Sequence, residues 1–273
     1  MLASTESRHF REPLAPKVPE ITVLFWLIKV LTTGMGESTS DYLAGLNRVL
    51  AGAAVMVGFA IAMWLQFRTR RYVAVVYWFA VAMVAVAGTV AADILHIGFG
   101  IPYLDSTIFY ALVVAVIFWL WYRSQGTLSI HSILTRTREI YYWLTVLATF
   151  ALGTAAGDLT AASMHLGYRT SAVLFAALIA VPAVGWWKFR LNPVVAFWFA
   201  YIITRPLGAS IADWLGKRRS LSGIGWGDGP VAGVAAIVIA ILVGYLAIAC
   251  TDIQPGINQG VRSAGRTGPR VTG

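Results

Sequence analysis

Residues 77–93 read YWFAVAMVAVAGTVAAD, an apolar stretch that opens with an aromatic pair and ends at an aspartate. The same pattern occurs three more times along the chain, each time without a gap. In every copy a glycine follows the tryptophan by ten residues and an aspartate follows it by fifteen. The other copies are FWLIKVLTTGMGESTSD at 25–41, YWLTVLATFALGTAAGD at 142–158 and FWFAYIITRPLGASIAD at 197–213. The chain is therefore built from four copies of one unit.

The composition places this unit in a membrane. Of the 273 residues, 58% are hydrophobic and 12% are charged, whereas an average soluble protein carries about 25% charged residues. Eight apolar stretches reach the roughly 20 residues that are needed to cross about 30 Å of hydrocarbon. They lie at about 21–44, 48–67, 72–98, 103–122, 140–166, 170–189, 193–216 and 229–250. We therefore predict an all-α integral membrane protein of eight transmembrane helices.

The repeats divide the chain into parallel units. Each unit supplies two spans, so every copy enters the membrane from the same side. The predicted transmembrane domain, residues 21–250, consists of repeats at about 21–67, 72–122, 140–189 and 193–250. The simplest arrangement is a pseudo-fourfold bundle with the odd-numbered spans inside. Residues 1–20 are predicted to form a cytoplasmic N-terminal segment. Residues 251–273, rich in Gly, Arg, Ser and Thr, are predicted to form a disordered cytoplasmic tail.

The basic residues orient the bundle and exclude one class of partner. With eight spans, fourteen lysines and arginines fall on one side of the membrane and five on the other. The basic side faces the cytoplasm, so both termini are expected there. These residues form no continuous basic stripe with stacking aromatics, so no nucleic-acid partner is expected. The expected partners are the lipid bilayer and a small cation or proton, and the sequence leaves the oligomeric state open.

The spacing within each copy indicates how deep its residues lie in the membrane. Fifteen residues of helix span about 22 Å, so the tryptophans mark the cytoplasmic interface and the aspartates lie toward the outer leaflet. The four aspartates that share this depth are Asp41, Asp93, Asp158 and Asp213. The glycines let helix backbones approach closely in lipid. The predicted packing positions are Gly36, Gly88, Gly153 and Gly208.

The aspartates are the candidate binding groups. A carboxylate within a span costs about 2.5–3.5 kcal/mol on insertion scales and usually faces the protein interior or a water-filled cavity. We predict that the four aspartates, together with Glu37 and His96, bind a small cation. Thr89, Thr154 and His165 are secondary candidates, and each threonine, like Glu37, lies four residues before an aspartate on one helix face. An alternative is that the aspartates lie outside the hydrocarbon and cap the following loops.

The donor types limit the choice of ion. Carboxylates with imidazole suit Mn²⁺, Zn²⁺ or Fe²⁺, and carboxylates alone suit Mg²⁺ or Ca²⁺. The single cysteine, Cys250, excludes a thiolate metal site. Two basic residues also lie within spans. Arg205 needs a carboxylate partner if it is buried, and one of the four aspartates is the predicted partner. The alternatives are that Arg205 extends to the membrane surface or forms a purely structural pair. Lys29 is predicted to extend to the cytoplasmic surface.

Three segments carry a resemblance to a known family. They are KVPEIT at 17–22, GTLSIHS at 126–132 and TRPLGAS at 204–210. They resemble the bacterial multi-pass proteins known as uncharacterised membrane-anchored proteins, over nearly all of residues 17–250. The resemblance implies a location in the bacterial cytoplasmic membrane and brings no activity with it.

The function predicted from the residues is transport of a small cation, with a divalent metal ion preferred, by the membrane aspartates. No nucleophile elbow, phosphate-binding loop, dinucleotide fingerprint or histidine-glutamate zinc motif occurs, so an enzyme is not the first choice. No cofactor is expected besides a bound or transported divalent cation. The alternatives are a membrane-embedded enzyme that acts on lipid or quinone, with the carboxylates and histidines as acid-base groups, and a non-transporting scaffold or sensor.

Overall fold

The protein is all-helical, as the sequence predicts. A computed structural model describes residues 16–254, and within that range seven helices are long and apolar enough to cross a membrane. They are α1 (Val23–Arg68), α2 (Ala74–Asp93), α3 (Tyr103–Gln125), α4 (Arg136–Asp158), α5 (Gly167–Phe189), α6 (Pro193–Gly216) and α7 (Asp228–Ala249). Short π-helical turns, Ile94–Gly98 and Leu159–Ser163, extend α2 and α4.

The structure has seven helices where the sequence predicts eight, because the first two predicted spans both lie in α1, a helix of 46 residues. Its regular geometry is interrupted at Asn47, whose φ of −160° and ψ of 111° are not helical. The Asn47 side-chain oxygen accepts hydrogen bonds from the N–H groups of Val49 and Leu50, at 3.1 and 3.0 Å. This cap starts the second half at once, so no loop separates the halves.

The two halves of α1 fold back on each other at Asn47. A straight helix of 46 residues would be about 69 Å long. The residues just outside its two ends nevertheless meet, since the Tyr72 N–H donates to the Pro16 carbonyl at 3.1 Å. Both ends of α1 therefore lie at the same end of the bundle, which we call the basic end because Arg68, Arg70 and Arg71 lie beside them.

Four helical segments form a closed inner ring. The first half of α1 packs on α2, α2 on α4, α4 on α6, and α6 on α1. Each remaining helix covers one inner helix: α3 covers α4, α5 covers α6, and α7 covers α1. In the most apolar 18-residue stretch of each helix, 61–67% of the residues are buried in α2, α4 and α6, whereas 11–22% are buried in α3, α5 and α7. Apolar helices that leave most of their surface exposed are suited to contact lipid.

The aromatic pairs close this ring near the basic end. In each copy the first aromatic residue contacts the tryptophan of the next copy, with ring centroids 5.7–6.2 Å apart. The contacts are Phe25–Trp78, Tyr77–Trp143, Tyr142–Trp198 and Phe197–Trp26. These distances are favourable for aromatic pairs. The last contact joins the fourth copy to the first, so the four copies complete a cycle.

The four predicted packing glycines lie where the inner helices approach most closely. Each faces the residue seven positions after the tryptophan of the next copy. The pairs are Gly36–Ala85, Gly88–Phe150, Gly153–Arg205 and Gly208–Thr33. A Cβ at Gly36 would lie 2.5 Å from the Cβ of Ala85, and one at Gly208 would overlap the Thr33 side chain. Any larger residue would push neighbouring helices apart.

Residues at both ends of the described range pack on the basic end. The Tyr72 hydroxyl donates to Asp252 Oδ2 at 2.5 Å, and the Gln254 amide donates to the Pro19 carbonyl at 3.0 Å. Asp252 and Gln254 are buried, so the predicted start of the disordered tail at residue 251 is too early. Lys17 is also buried, and it donates to Glu139 at 2.6 Å. The remainder of the predicted N-terminal segment and of the tail lies outside the described residues.

Candidate functional site

A buried ion pair occupies the centre of the inner ring. Arg205 Nη2 of α6 donates to Glu37 Oε2 of α1 at 2.7 Å, and the two side chains are 0% and 5% exposed. The same guanidinium donates to the hydroxyls of Thr89 and Thr154, to the latter at 2.6 Å, and to the Thr33 carbonyl at 3.1 Å. All four inner helices therefore contribute to one hydrogen-bonded cluster.

The partners of Arg205 differ from the prediction. The sequence predicts a bond to one of the four aspartates, whereas the structure pairs Arg205 with Glu37, which lies one helical turn closer to the centre. Thr89 and Thr154 also donate weakly to Glu37 Oε2, at 3.3 and 3.4 Å. Both threonines occupy the repeat position of Glu37, eleven residues after the tryptophan, so the ring brings them to the same level. They contact the ion pair instead of the aspartate that follows each of them.

An acidic cluster lies one turn farther from the basic end. It consists of Glu37, Asp41 and Asp213. One carboxylate oxygen of each residue lies within 4.8 Å of one carboxylate oxygen of the other two. Lys217 Nζ lies 2.5 Å from Asp41 Oδ2, 3.9 Å from Asp213 Oδ1 and 3.6 Å from Asp228 Oδ2. Asp213 is 5% exposed, and its Oδ1 makes no hydrogen bond to any residue that the structure describes. The cluster is therefore acidic and only partly neutralised, with Glu37 and Asp213 buried and Asp41 partly exposed.

Lys217, just beyond the end of α6, remains charged in this cluster. Burial lowers the pKa of its ammonium group, but the negative charges of Asp41 and Asp213 and the hydrogen bond to Asp41 outweigh burial and raise the pKa overall. The ammonium group therefore acts as a built-in cation beside the three carboxylates.

The other two predicted aspartates lie at the same level on α2 and α4 but outside this cluster. Across residues 16–254, the carboxylate groups of Asp93 and Asp158 form no hydrogen bond and no ion pair. Asp93 lines a cavity of about 250 Å³ together with Ser40 and Arg48. A π-helical turn begins directly after each of these two aspartates. Such turns are frequent at functional sites. The structure thus brings two of the four predicted aspartates together and leaves two apart.

The predicted histidines do not reach the acidic cluster. The His96 ring stacks on Tyr103, with centroids 3.5 Å apart, and its Nδ1 lies 2.8 Å from the Ile101 carbonyl. It therefore stabilises the turn between α2 and α3. His165 is exposed and adopts a positive φ of 55° in the turn between α4 and α5. His96 lies within the π-helical turn that follows α2, and His165 lies just beyond the one that follows α4.

Lys29 is buried, contrary to the prediction that it extends to the surface. It is 1% exposed, and its ammonium nitrogen lies 3.9 Å from the ring centroid of Phe150 and 4.1 Å from that of Tyr201. The closed ring of inner helices encloses this position, so the side chain points inward and has no route to the surface.

Three residues of the site are missed by the sequence reasoning. Lys217 follows Asp213 by four residues, a spacing that places the two on one helix face, so this signal was available. Asp228 is the first residue of α7 and carries no repeat signal. Thr33 contributes its carbonyl, and no side-chain pattern predicts such a role.

Comparisons with known proteins place the chain in a family. No curated protein and no solved structure matches it. A family model described as Repeat of Unknown Function (DUF347) matches residues 24–72, 76–127, 141–192 and 196–249. These four matches coincide with the four copies that were read from the aromatic, glycine and aspartate positions. The chain therefore belongs to the DUF347 repeat family, with four copies of the repeat.

Proposed function

We propose that this protein moves a small cation across a membrane and that Glu37, Asp41 and Asp213 bind the cation. The observation that carries the proposal is the approach of their three ligand oxygens to within 4.8 Å of one another. Hard divalent cations bind oxygen at about 2.0–2.6 Å, so ligands on opposite sides of an ion are about 4–5 Å apart. The spacing of these three atoms therefore matches that of ligands around one ion.

Charge balance supports this role. Glu37, Asp41, Asp213 and Asp228 meet only two basic side chains, Arg205 and Lys217, within the part of the chain that the structure describes. Buried carboxylates are stable when ionised only if they are paired or coordinate a metal. The remaining negative charge must be neutralised by protons or by a cation, and exchange between the two would drive transport.

The donor set favours particular ions. The acidic cluster offers carboxylates, and the hydroxyls of Thr89 and Thr154 lie at its inner edge. His96 is stacked on Tyr103 and lies away from the cluster. Oxygen donors without imidazole suit Mg²⁺, Ca²⁺ and Mn²⁺ better than Zn²⁺. We therefore propose one of the first three as the cargo.

The proposed topology gives the ion a path. If the two halves of α1 count separately, the bundle has eight crossings in four parallel units, and both termini lie on one side. The excess of lysine and arginine at the basic end supports a cytoplasmic location for that end, and the resemblance of the sequence supports a bacterial cytoplasmic membrane. The cation site then lies toward the outer leaflet, and the Arg205–Glu37 pair closes the path toward the cytoplasm.

Thermal unfolding of the purified protein with Mn²⁺, Mg²⁺, Ca²⁺ and Zn²⁺ tests the site. A ligand at about 100 times its dissociation constant adds about 2.7 kcal/mol of stability. We expect one of the first three ions to raise the unfolding temperature of the wild type and of Asp105→Asn, an exposed aspartate outside the cluster. The shift should disappear in Asp213→Asn and Asp41→Asn. An equal shift in Asp213→Asn and the wild type would show that the cluster is not the site.

The same measurement addresses the alternative functions. A protein that no ion stabilises, and in which Asp213→Asn unfolds like the wild type, would favour the scaffold or sensor. Stabilisation by a quinone or a phospholipid, lost in the aspartate variants, would favour the enzyme.

A further inference from the structure

Lys29 is the only lysine in the described helices that lies inside the inner ring. Its side chain is 1% exposed, and its ammonium nitrogen has no hydrogen-bond partner among residues 16–254. Only two aromatic rings lie against it, those of Phe150 and Tyr201. A buried ammonium group is normally paired with a carboxylate, so the absence of a partner here needs an explanation.

The repeat shows what surrounds Lys29 at its own level. The residues three positions after the tryptophan in the other copies are Val81, Val146 and Tyr201. Both valines are buried, so α2 and α4 contribute no titratable group at this level. The tyrosine of α6 contributes its ring. No anion is therefore supplied to Lys29 by the three inner helices that face it.

A second cation lies against the same aromatic ring as Lys29. The Arg205 guanidinium carbon lies 5.3 Å from the centroid of Phe150, the same ring that lies 3.9 Å from the Lys29 nitrogen. Glu37, on the same helix as Lys29, is bonded to Arg205. On α7, which covers α1, the one carboxylate is Asp228, and it lies with Lys217 at the opposite end. An ammonium group at Lys29 is therefore paired with no carboxylate among the described residues, and it shares one aromatic ring with the Arg205 guanidinium.

We propose that Lys29 is a proton-binding site, separate from the acidic cluster, that gains and loses a proton as the cation moves. The inference deepens the proposed transport function and rests on it for the coupling. The step is balanced: the ammonium group releases one proton and becomes an amine, and no other bond changes. A cation in the acidic cluster adds positive charge on the Arg205 side, which favours the amine. Departure of the cation favours the return of the proton.

Tyrosine hydroxyl groups lie between Lys29 and the basic end. The Tyr201 hydroxyl has no hydrogen-bond partner among the described residues. One layer farther lie Tyr77 of α2 and Tyr142 of α4, whose hydroxyl oxygens are 2.5 Å apart. These three tyrosines and Arg205 are the titratable groups that α2, α4 and α6 bring near Lys29. Phenolic hydroxyls both donate and accept hydrogen bonds, so the bonded pair Tyr77–Tyr142 can pass a proton between its two oxygens.

NMR of the protein with ¹³C-labelled lysine side chains tests the site directly. The chain has only four lysines, Lys17, Lys29, Lys188 and Lys217, so few signals need assignment. The Lys29 signal is identified by its loss in Lys29→Met or, if that variant does not fold, by elimination with the other three replaced by arginine. We expect this signal to change between the ammonium and amine forms within the pH range in which the protein stays folded. The exposed Lys188 should remain an ammonium group throughout. A Lys29 signal that keeps one form over this range would overturn the proposal, whether or not the protein transports a cation.

Proton counting then tests the coupling. In a weakly buffered solution, Mn²⁺, Mg²⁺ or Ca²⁺ is added to the protein, and a pH indicator measures the protons released per ion bound. We expect Lys29→Met to bind the ion and to release one proton fewer than the wild type. Equal release by the two proteins would refute the coupling while leaving the cation site intact. Asp213→Asn should bind no ion and release no protons when the ion is added. If the cation site is wrong, Asp213→Asn binds the ion like the wild type; if only the Lys29 coupling is wrong, Lys29→Met releases as many protons as the wild type.

Discussion

Arg205 Nη2 donates to Glu37 Oε2 at 2.7 Å across 168 positions of sequence, with both side chains buried in the centre of the ring. This contact joins the first copy of the repeat to the fourth. The position of Arg205 is occupied in the other copies by Thr33, Ala85 and Phe150, so the fourth copy alone supplies a charge at this level. The pair therefore breaks the equivalence of the four copies at the point where the acidic cluster begins.

Loss of Arg205 should strongly destabilise the protein. Removal of one member of a buried ion pair leaves the other charge uncompensated, which costs about 3–5 kcal/mol. We expect Arg205→Met to lower the free energy of unfolding by about this amount, measured by denaturant titration in detergent. Arg123→Met, at an exposed position with no hydrogen bond in the described structure, is the matched control. A double variant with Glu37→Gln should lose less than the sum of the two single changes.

The four packing glycines of the inner ring should tolerate no side chain. A Cβ at Gly153 would lie 2.5 Å from Arg205 Cβ, whereas a Cβ at Gly157, one turn later on the same helix, would lie 3.9 Å from its nearest neighbour. We expect Gly153→Ala to reduce stability by about 1–3 kcal/mol through overpacking. Gly157→Ala should be neutral or stabilising by up to about 1 kcal/mol, because alanine favours helix. Equal effects in thermal unfolding of the two variants would argue against close packing at Gly153.

Lys217 should compete with the cation for the acidic cluster. Its ammonium nitrogen lies 2.5 Å from Asp41, and removal of this charge leaves three carboxylates with a stronger attraction for a divalent ion. We expect Lys217→Met to bind the ion at least about tenfold more tightly, which corresponds to about 1.4 kcal/mol, in a calorimetric titration. Arg218→Met, the exposed neighbour, should leave the affinity unchanged. Weaker ion binding by Lys217→Met would instead show that this lysine holds the carboxylates of the site in position.

Tyr72 should hold the C-terminal segment on the basic end. Burial, and then the hydrogen bond to Asp252, raise the pKa of its hydroxyl, so the hydroxyl remains a donor at neutral pH. Tyr72→Phe should cost about 1–3 kcal/mol, because it leaves Asp252 buried without this donor. Tyr122→Phe, at an exposed tyrosine, is the control.

The contribution of Tyr72 should also depend on pH in a defined direction. A group whose pKa is raised by folding contributes stability that is present below its unfolded pKa, about 10 for tyrosine, and is lost as the pH rises above it. The difference in unfolding free energy between the wild type and Tyr72→Phe should therefore be constant at neutral pH and shrink above about pH 10. A difference that grows with alkaline pH would contradict the raised pKa.

The repeat made much of the fold predictable from the sequence. The fixed spacing of tryptophan, glycine and aspartate predicts which faces of the helices meet, and the contacts Phe25–Trp78 and Gly36–Ala85 follow that register. The interruption of α1 at Asn47 falls between the predicted spans 21–44 and 48–67, although Asn47 caps the second half so directly that no loop separates the two halves.

The site was less predictable than the fold, since spacing along one helix does not define the rotation of that helix against its neighbours. Glu37, Thr89 and Thr154 lie four residues before three of the four aspartates, and Ala209 occupies this position in the fourth copy. The structure turns Thr89 and Thr154 toward Glu37 and Arg205, however, and so away from Asp93 and Asp158. Burial of Lys29 depends on closure of the ring, which a local pattern does not encode.

Cation flux into proteoliposomes shows whether the acidic cluster carries an ion through the membrane, as we propose. Vesicles that contain an ion-sensitive dye are loaded with the wild type, Asp213→Asn or Asp105→Asn, and the ion that stabilises the protein is added outside. We expect rapid uptake of the ion by vesicles with the wild type or Asp105→Asn. Vesicles with Asp213→Asn should take up the ion at the rate of protein-free vesicles. Uptake by Asp213→Asn at the wild-type rate would contradict the proposal.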